Sequence, residues 1–284
     1  MVWAMICTGF SSCARSQQHR LCISSSRDDD AIAGCVEGLS RDQSKMSVRP
    51  AGTAPRLSII MPVLDEKERI EAALEALAPL RHRGVEIIVV DGGSADDTLA
   101  KARRSADLVF AVPRGRASQM NAGAERAGGG ILLFLHCDTQ LPRDADRLVL
   151  EALEESGRSW GRFDVELSGR SFMLRVVALL MNWRSRLTGI ATGDQAIFMR
   201  REAFAKAGPY PDISLMEDIA ISKALKQVSP PVAINVHAIA SGRRFVTKGV
   251  WRLIFLMWTL RLAYWAGVDP DTLAQRYGYV PRSR

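Results

Sequence analysis

The stretch Ile131-Leu132-Leu133-Phe134-Leu135-His136-Cys137-Asp138-Thr139, closed by Leu141-Pro142, is a short apolar run that ends on a carboxylate. A run hydrophobic at every position suits a buried parallel strand covered on both faces. In open α/β sheets, ligands gather beyond the carboxyl ends of such strands, so Asp138 is the first candidate for chemistry. Two other apolar runs end the same way: Leu57 to Leu64 runs into Asp65-Glu66, and Val85 to Val90 runs into Asp91. Three strands, each tipped with acid, describe one acidic crevice.

Outward from these runs, strand and helix patterns alternate. Ile70, Ala73, Leu74 and Leu77 fall at helical spacing within Glu68–Leu77, with a stop expected near Pro79. Ser94-Ala-Asp-Asp97 reads as a capping run into a helix over Thr98–Arg104. A short strand at 108–112, a helix at 118–127 ended by three glycines, a helix at 143–155 and a strand at 160–167 follow. Then come an apolar helix at 172–187 interrupted by Arg175 and Arg184, a loop entering a strand at 190–199, a helix at 201–207, and a helix opened by Glu217-Asp218 that runs to about Gln227. Alternation of this kind predicts an α/β fold with a mainly parallel sheet flanked by helices.

Composition narrows the function classes. With 284 residues, 47% apolar and 24% charged, the chain suits one large domain or a domain with an appendage. The net charge of +7 comes from dispersed basic residues, and no zinc-finger, helix-turn-helix or aromatic-plus-basic RNA motif accompanies it, so nucleic acid is not expected as a partner. No GxGxxG follows the first strand and no GxxxxGK[ST] occurs, which excludes a dinucleotide dehydrogenase and a P-loop NTPase. Four of the five cysteines lie in the first 35 residues, at spacings that fit neither zinc ligands nor a disulfide framework; Cys137 reads as a buried thiol.

Three segments are expected: 1–54, a disordered or mis-assigned extension with Met46 as an alternative start; 55–235, the catalytic domain; and 236–284, a C-terminal helical segment. In the last, Lys248–Val268 is almost wholly apolar, with Trp251, Trp258 and Trp265 every seven residues, yet Arg252 and Arg261 leave runs too short for a bilayer span. Two readings stand for the tryptophan stripe, core packing and interfacial membrane contact. The second would place the protein at the cytoplasmic face of the cell membrane, attached through 172–187 and 248–268.

The ordered acids suggest transfer chemistry. A nucleotide diphosphate takes a divalent cation held by one or two carboxylates and phosphate oxygens, and transfer to a hydroxyl takes one further carboxylate as base. At this point the sequence resembles the family 2 glycosyltransferases of the GT-A fold over roughly residues 57–230. Four motifs in order carry the resemblance: Ser58 to Glu66, containing Pro62 and Asp65; Val90-Asp-Gly-Gly-Ser-Ala-Asp-Asp-Thr98; Arg116 with Asn121; and His136-Cys-Asp138, followed later by Glu217-Asp218.

The resemblance implies a nucleotide diphospho-sugar donor gripped by Pro62, Asp65, Glu66, Asp91, Ser94, Arg116 and Asn121. It further implies Mn²⁺ or Mg²⁺ on Asp138, and Asp218, paired with Glu217, as the base of an inverting transfer. His136 stands where the family carries an acid, and is read as a metal ligand, a donor to diphosphate or a polar strand end. His237 is read as a further metal ligand or a structural histidine, Asp194 and Gln195 as facing the unidentified acceptor or building their loop. Arg243 and Arg244 are read as diphosphate ligands or a solvated or lipid-facing basic patch.

More narrowly, His136-x-Asp-Thr139, Thr192-Gly-Asp-Gln195, Ser241-x-Arg-Arg244 and Gly267-Val-x-Pro270 are similar to the radical-SAM/selenodomain-associated transferases, from which no substrate carries over. The alternatives are a sugar-1-phosphate nucleotidyltransferase, which expects a Gly-rich basic signature after the first strand, and a non-catalytic membrane-associated nucleotide-sugar-binding module.

Overall fold

A computed structural model describes residues 55–279; the expectations for 1–54 lie outside them. The three acid-tipped runs are strands β1 (Leu57–Val63), β2 (Glu86–Asp91) and, beyond β3 (Leu108–Ala111), β4 (Ile131–Phe134). They pair in parallel in the order β3-β2-β1-β4. Successive side chains on a strand point to opposite faces. One set (Ile59, Met61, Ile87, Val89, Leu133) packs on helices α1 (Ile70–His82), α2 (Thr98–Ala102) and α4 (Ala145–Ser156). The other set (Ile60, Ile88, Val90, Leu132, Phe134) packs on α3 (Arg116–Arg126), α6 (Arg201–Ala207) and α7 (Glu217–Val228). Both faces are covered, which is why these strands show no alternation in sequence.

The rest of the sheet departs from the mainly parallel expectation. Strand β7 (Phe198–Arg200) runs antiparallel to β4 and to β6 (Trp160–Ser168). Strand β8 (Val232–Ser241) is parallel to β6, and the two-residue β5 (Thr139–Gln140) closes the edge antiparallel to β8. The sheet is therefore mixed, because pairing direction is set by where a strand enters and not by its own apolar content. Gly161 shows how closely β6 and β8 approach: a Cβ there would lie 2.4 Å from the Val232 carbonyl oxygen. Strand β8 leaves four of its ten residues exposed and crosses position 235, where the sequence suggested a boundary. Helix α1 continues through Pro79 to His82 instead of stopping at the proline.

Helix α5 (Phe172–Thr188) covers β6 through Leu174, Val177 and Ala178. The C-terminal segment is helical: α8 (Arg243–Lys248), α9 (Val250–Trp265) and α10 (Pro270–Tyr277). The Gly267-Val-Asp-Pro270 motif is a helix start, with the Asp269 carboxylate accepting from the backbone N–H groups of Asp271 and Thr272 and Pro270 in the first turn. Leu260 of α9 and Leu273 of α10 pack on Leu215, Met216 and Ile219, which flank the start of α7. The tryptophan stripe is not core: Trp251, Trp258 and Trp265 are 71%, 61% and 75% exposed. Among the described residues no helix is long and apolar enough to cross a membrane.

Candidate active site

Strand β1 continues to β2 on one side and β4 on the other, so the order 3-2-1-4 opens a crevice at the carboxyl ends of β1 and β4. The β1–β4 ladder ends with Ile60 opposite Phe134. Two residues further along β1, Pro62 has no N–H to extend it. Gln119 of α3 closes the neighbouring gap: its buried amide donates to the carbonyls of Val63 and Val90, both at 2.8 Å, and so ties the tips of β1 and β2.

The loops after β1 and β2 are stitched together by the residues expected to grip a nucleotide. Asp91 is buried and accepts from the backbone N–H groups of Gly93 (2.9 Å) and Ser94 (2.8 Å) and from the Ser94 hydroxyl. Asp65, with φ of 51°, donates its N–H to the Ser94 hydroxyl oxygen and accepts from the Ala95 N–H, each at 2.9 Å. Glu66 holds Arg69 at 2.6 Å, and its N–H reaches the Thr98 hydroxyl oxygen. Asp65 and Glu66 keep exposed surface toward the crevice, whereas the Asp91 carboxylate is largely spent on its own turn.

A second group lines one cleft: Met120, Phe134, His136, Gly193, Ile197, Tyr210, Glu217 and Asp218. Met216 takes a left-handed conformation, φ 72°, which turns the chain into α7 and sets both acids at its N-terminus. They differ sharply. Glu217 is buried and paired with Arg116 at 3.0 Å; burial, followed by the Asp218 charge, pushes its carboxyl up against the pull of Arg116. Asp218 is partly exposed, accepting from the Gly193 N–H at 3.1 Å and the Ile219 N–H at 2.7 Å. Two carboxylates at one helix start thus divide into one paired with a cation and one held only by backbone N–H groups. Beside them, burial and then both acidic charges keep the Tyr210 phenol well above its ordinary value, so it stays a donor.

Several sequence expectations meet different geometry. Arg116 faces Glu217 and the Tyr279 hydroxyl (2.7 Å). Although burial opposes its charge, Glu217 and Tyr279 hold it above the ordinary arginine range. The Asn121 amide anchors the Tyr210 loop, donating to the Tyr210 carbonyl at 2.8 Å and accepting from its N–H at 2.9 Å. Gln195 is fully buried in the Thr192–Gln195 turn, where it closes a capping box with Thr192, so it cannot meet an acceptor. Arg244 donates to the hydroxyls of Tyr277 (2.9 Å) and Tyr279 (3.3 Å), while Arg243 stays exposed at the start of α8. The tyrosines Tyr210, Tyr277 and Tyr279 carried no motif that would have marked them.

His136 is wedged between two groups of the same turn. Its Nδ1 lies 3.5 Å from the Asp194 carboxylate, and a Cβ on Gly193 would fall 2.3 Å from its Cε1 and 2.5 Å from its Nε2. Burial acts to raise the Asp194 carboxyl, but the His136 hydrogen bond and charge, with Arg116 and Arg244, hold it below the ordinary range. His136 therefore braces the Asp194 turn while its side chain, 19% exposed, also lines the cleft. Gly193→Ala is expected to lower Tm by an overpacking cost of about 1–3 kcal/mol. The double variant Gly193→Ala/His136→Ala should recover part of that loss; equal Tm for wild type and Gly193→Ala would remove the wedge.

The donor set for a metal is correspondingly spare. Among the described residues no three His, Cys, Asp or Glu side chains gather to hold an ion. Asp138 is exposed at the lip of the crevice, its carbonyl accepting from the Ser241 N–H. His237 is exposed opposite Asp164, four residues before Ser241 and so about 13 Å back along β8, away from Asp138. These residues fit a hard cation that takes one carboxylate from the protein and completes its oxygen shell from a diphosphate and water. They do not fit a cage made by the protein alone. Cys137 is free and buried, its thiol pushed up to about 12 by burial, so it is inert beside this site.

An open α/β crevice tipped with acids thus stands in front of a carboxylate pair at a helix start. The Glycosyl transferase family 2 description matches residues 58–208, more than half of the chain, and the chain belongs to that family. It is similar to the PGL/p-HBAD biosynthesis glycosyltransferase of Mycobacterium bovis (strain BCG / Pasteur 1173P2), 32% identical over 173 residues, covering 55% of this chain and 64% of that protein. It is also similar to the poly-beta-1,6-N-acetyl-D-glucosamine synthase of Staphylococcus aureus (strain COL), 23% identical over 183 residues, covering 58% of this chain and 44% of the synthase. The chain thus spans less than two thirds of either curated relative. In fold it resembles the mannosyltransferase PcManGT of Pyrobaculum calidifontis, solved with GDP-Man and Mn²⁺, with a TM-score of 0.56, 21% identity, and coverage of 84% of this chain and 73% of that one.

Proposed function

We propose that this chain transfers a sugar, with inversion, from a nucleotide diphospho-sugar to an acceptor hydroxyl, Asp218 taking the acceptor's proton. The observation that carries the reading is the division at the start of α7. Glu217 is locked to Arg116 while Asp218, held by two backbone N–H groups, keeps exposed surface in the cleft that His136 and Tyr210 also line.

Asp65, Glu66 and Asp91 then frame the nucleotide at the tips of β1 and β2, and Asp138 stands where the diphosphate would lie. A bound Mn²⁺ or Mg²⁺ on Asp138 would offset the charge of the leaving diphosphate. The fold neighbour's GDP-Man and Mn²⁺ support this donor class. Tyr210, kept protonated, offers its hydroxyl as a donor in the cleft, whose walls include the buried Phe134 and Ile197.

Membership in the radical-SAM/selenodomain-associated subgroup belongs to the same proposal. Its support is the His136-x-Asp-Thr139, Thr192–Gln195, Ser241–Arg244 and Gly267–Pro270 motifs. So does peripheral attachment at a membrane's cytoplasmic face. Phe172, Leu179, Leu180, Trp183 and Leu187 of α5 are exposed, as are Trp251, Phe255, Trp258, Leu262 and Trp265 of α9. Arg170, Arg175, Lys248 and Arg252 stand exposed beside them, the charge pattern of a surface that meets anionic headgroups.

Calorimetry with UDP and GDP, with and without Mn²⁺, tests the donor site. Binding should strengthen with Mn²⁺, and Asp138→Asn should lose that gain while retaining metal-free binding. No binding of either nucleotide, with no nucleotide release from a panel of UDP- and GDP-sugars, would refute the reading.

A further inference from the structure

Two arginines, one on α5 and one on α9, carry buried side-chain nitrogens with no hydrogen-bond partner among the described residues. Arg184, on α5, has Nε and Nη2 buried without a hydrogen bond, and Arg261, on α9, has Nε in the same condition. Protein interiors rarely leave such donors unpaired, and an orphaned buried donor asks for a ligand. Arg162, whose charge acts on Arg184, cannot supply one, because a guanidinium has no acceptor, and Asp164 is already shared between Arg162 and Arg186.

The two arginines share one seam. Met181 of α5 packs in the same cluster as Val250 and Ile254 of α9, and Ile190, just past α5, packs with Leu256 and Ala263 of α9. Leu260, adjacent to Arg261, lies against Met216 and Ile219 on either side of Glu217-Asp218. Arg252 and Arg261 are nine residues apart, half a turn out of phase, so Arg252 faces outward and Arg261 inward.

Electrostatics agree with this placement. Burial, then the Arg261 charge, lowers the Arg184 guanidinium to about 9, with Asp218 opposing; burial lowers Arg261, with Asp218 and then Asp194 opposing. Arg184 thus feels the Arg261 charge and both feel that of Asp218, an arrangement of desolvated cations that an anion between them would relieve. Exposed apolar residues neighbour both arginines on their helices: Leu180 and Leu187 lie four before and three after Arg184, and Trp258 and Trp265 three before and four after Arg261.

We propose that Arg184 and Arg261 form an anion subsite holding the phosphate of a membrane lipid acceptor beside Asp218, with the lipid's apolar part leaving along the exposed α5–α9 face. This names the acceptor class for the transferase reading, on which it rests. A phosphomonoester supplies several acceptor oxygens for the three orphaned N–H donors. Charge complementarity and the adjoining apolar surface favour the lipid-borne phosphate over a soluble one.

The test uses the full chain with vesicles of phosphatidylcholine alone, with phosphatidylserine, or with phosphatidic acid at matched surface charge, and glycerol 3-phosphate as the soluble arm. Flotation should show phosphatidic acid vesicles bound more tightly than phosphatidylserine ones. Arg184→Gln and Arg261→Gln should each lose roughly 10- to 100-fold of that preference, the size of a lost charge-assisted hydrogen bond. Their binding to phosphatidylserine vesicles and to UDP or GDP should be unchanged. Arg184→Met and Arg261→Met should raise Tm, since each removes an unpaired buried charge, whereas a structural role would lower it.

Variants that keep the preference, or a wild type with none, would overturn the subsite. Glycerol 3-phosphate binding as tightly as phosphatidic acid vesicles would overturn the lipid assignment. A wild type that shows the preference yet binds neither nucleotide would refute the donor reading and leave the subsite standing.

Discussion

Asp218→Asn is expected to lower turnover by about 10²- to 10⁴-fold, the range that a positioned general base contributes. The substitution is nearly isosteric. One carboxylate oxygen accepts from Gly193 and the other from Ile219, and an asparagine oxygen can keep only one of these bonds. The structural cost is therefore about one hydrogen bond, roughly 1 kcal/mol. Binding of UDP or GDP should change little, because Asp65, Glu66 and Asp91 lie on the loops after β1 and β2. Single-turnover release of nucleotide, measured beside calorimetric binding, separates the two effects. Turnover within a few-fold of wild type would move the base elsewhere.

The largest stability effect should come from Arg116→Met. Glu217 has a side chain 4% exposed, and Arg116, 35% exposed, is its only ion-pair partner among the described residues. Breaking a buried pair by removing one partner costs about 3–5 kcal/mol, and the lower end applies here because solvent screens Arg116.

The loss should depend on pH, with a definite sign. The Glu217 carboxyl is already raised by burial, with Arg116 opposing, and without Arg116 it rises further. The folded chain then holds this proton more tightly than the unfolded one. Stability from Glu217 is present below the unfolded carboxyl value and is lost as pH rises through the folded value. Arg116→Met should therefore unfold at lower temperature near neutral pH and recover in mild acid, and Arg116→Met/Glu217→Gln should recover at both. A pH-independent deficit would show that packing of the guanidinium, and not its charge, is what Glu217 needs.

The contrast within the acid set explains how far the site was legible in sequence. Asp65, Asp91 and Asp138 could be placed because each follows an apolar run, and a run buried on both faces ends at the carboxyl edge of a parallel sheet. Glu217 and Asp218 could be placed at a helix start. Their division of labour could not: it depends on Arg116, 101 residues away, reaching Glu217 and leaving Asp218 to the Gly193 backbone. The partner of Asn121 was out of reach for the same reason, since it is the backbone of Tyr210, 89 residues on. Gln195 looked available beside Asp194 because local sequence does not say which side of a turn is buried.

The sequence by itself determined the family's core. Hydrophobic runs of strand length, helical spacing between them and acids at the strand ends follow from periodicities of two and about 3.6 residues, which are local properties. Tertiary structure alone decided the antiparallel entry of β7, the partly exposed β8, the wedge of His136 against Gly193, and the exposure of a tryptophan stripe that periodicity could equally have placed in the core. It also decided that Arg184 and Arg261, which in sequence only interrupt two apolar helices, would carry buried side-chain nitrogens without hydrogen-bond partners. Each of these outcomes turns on which distant surface a side chain meets, and that is settled when the helices pack.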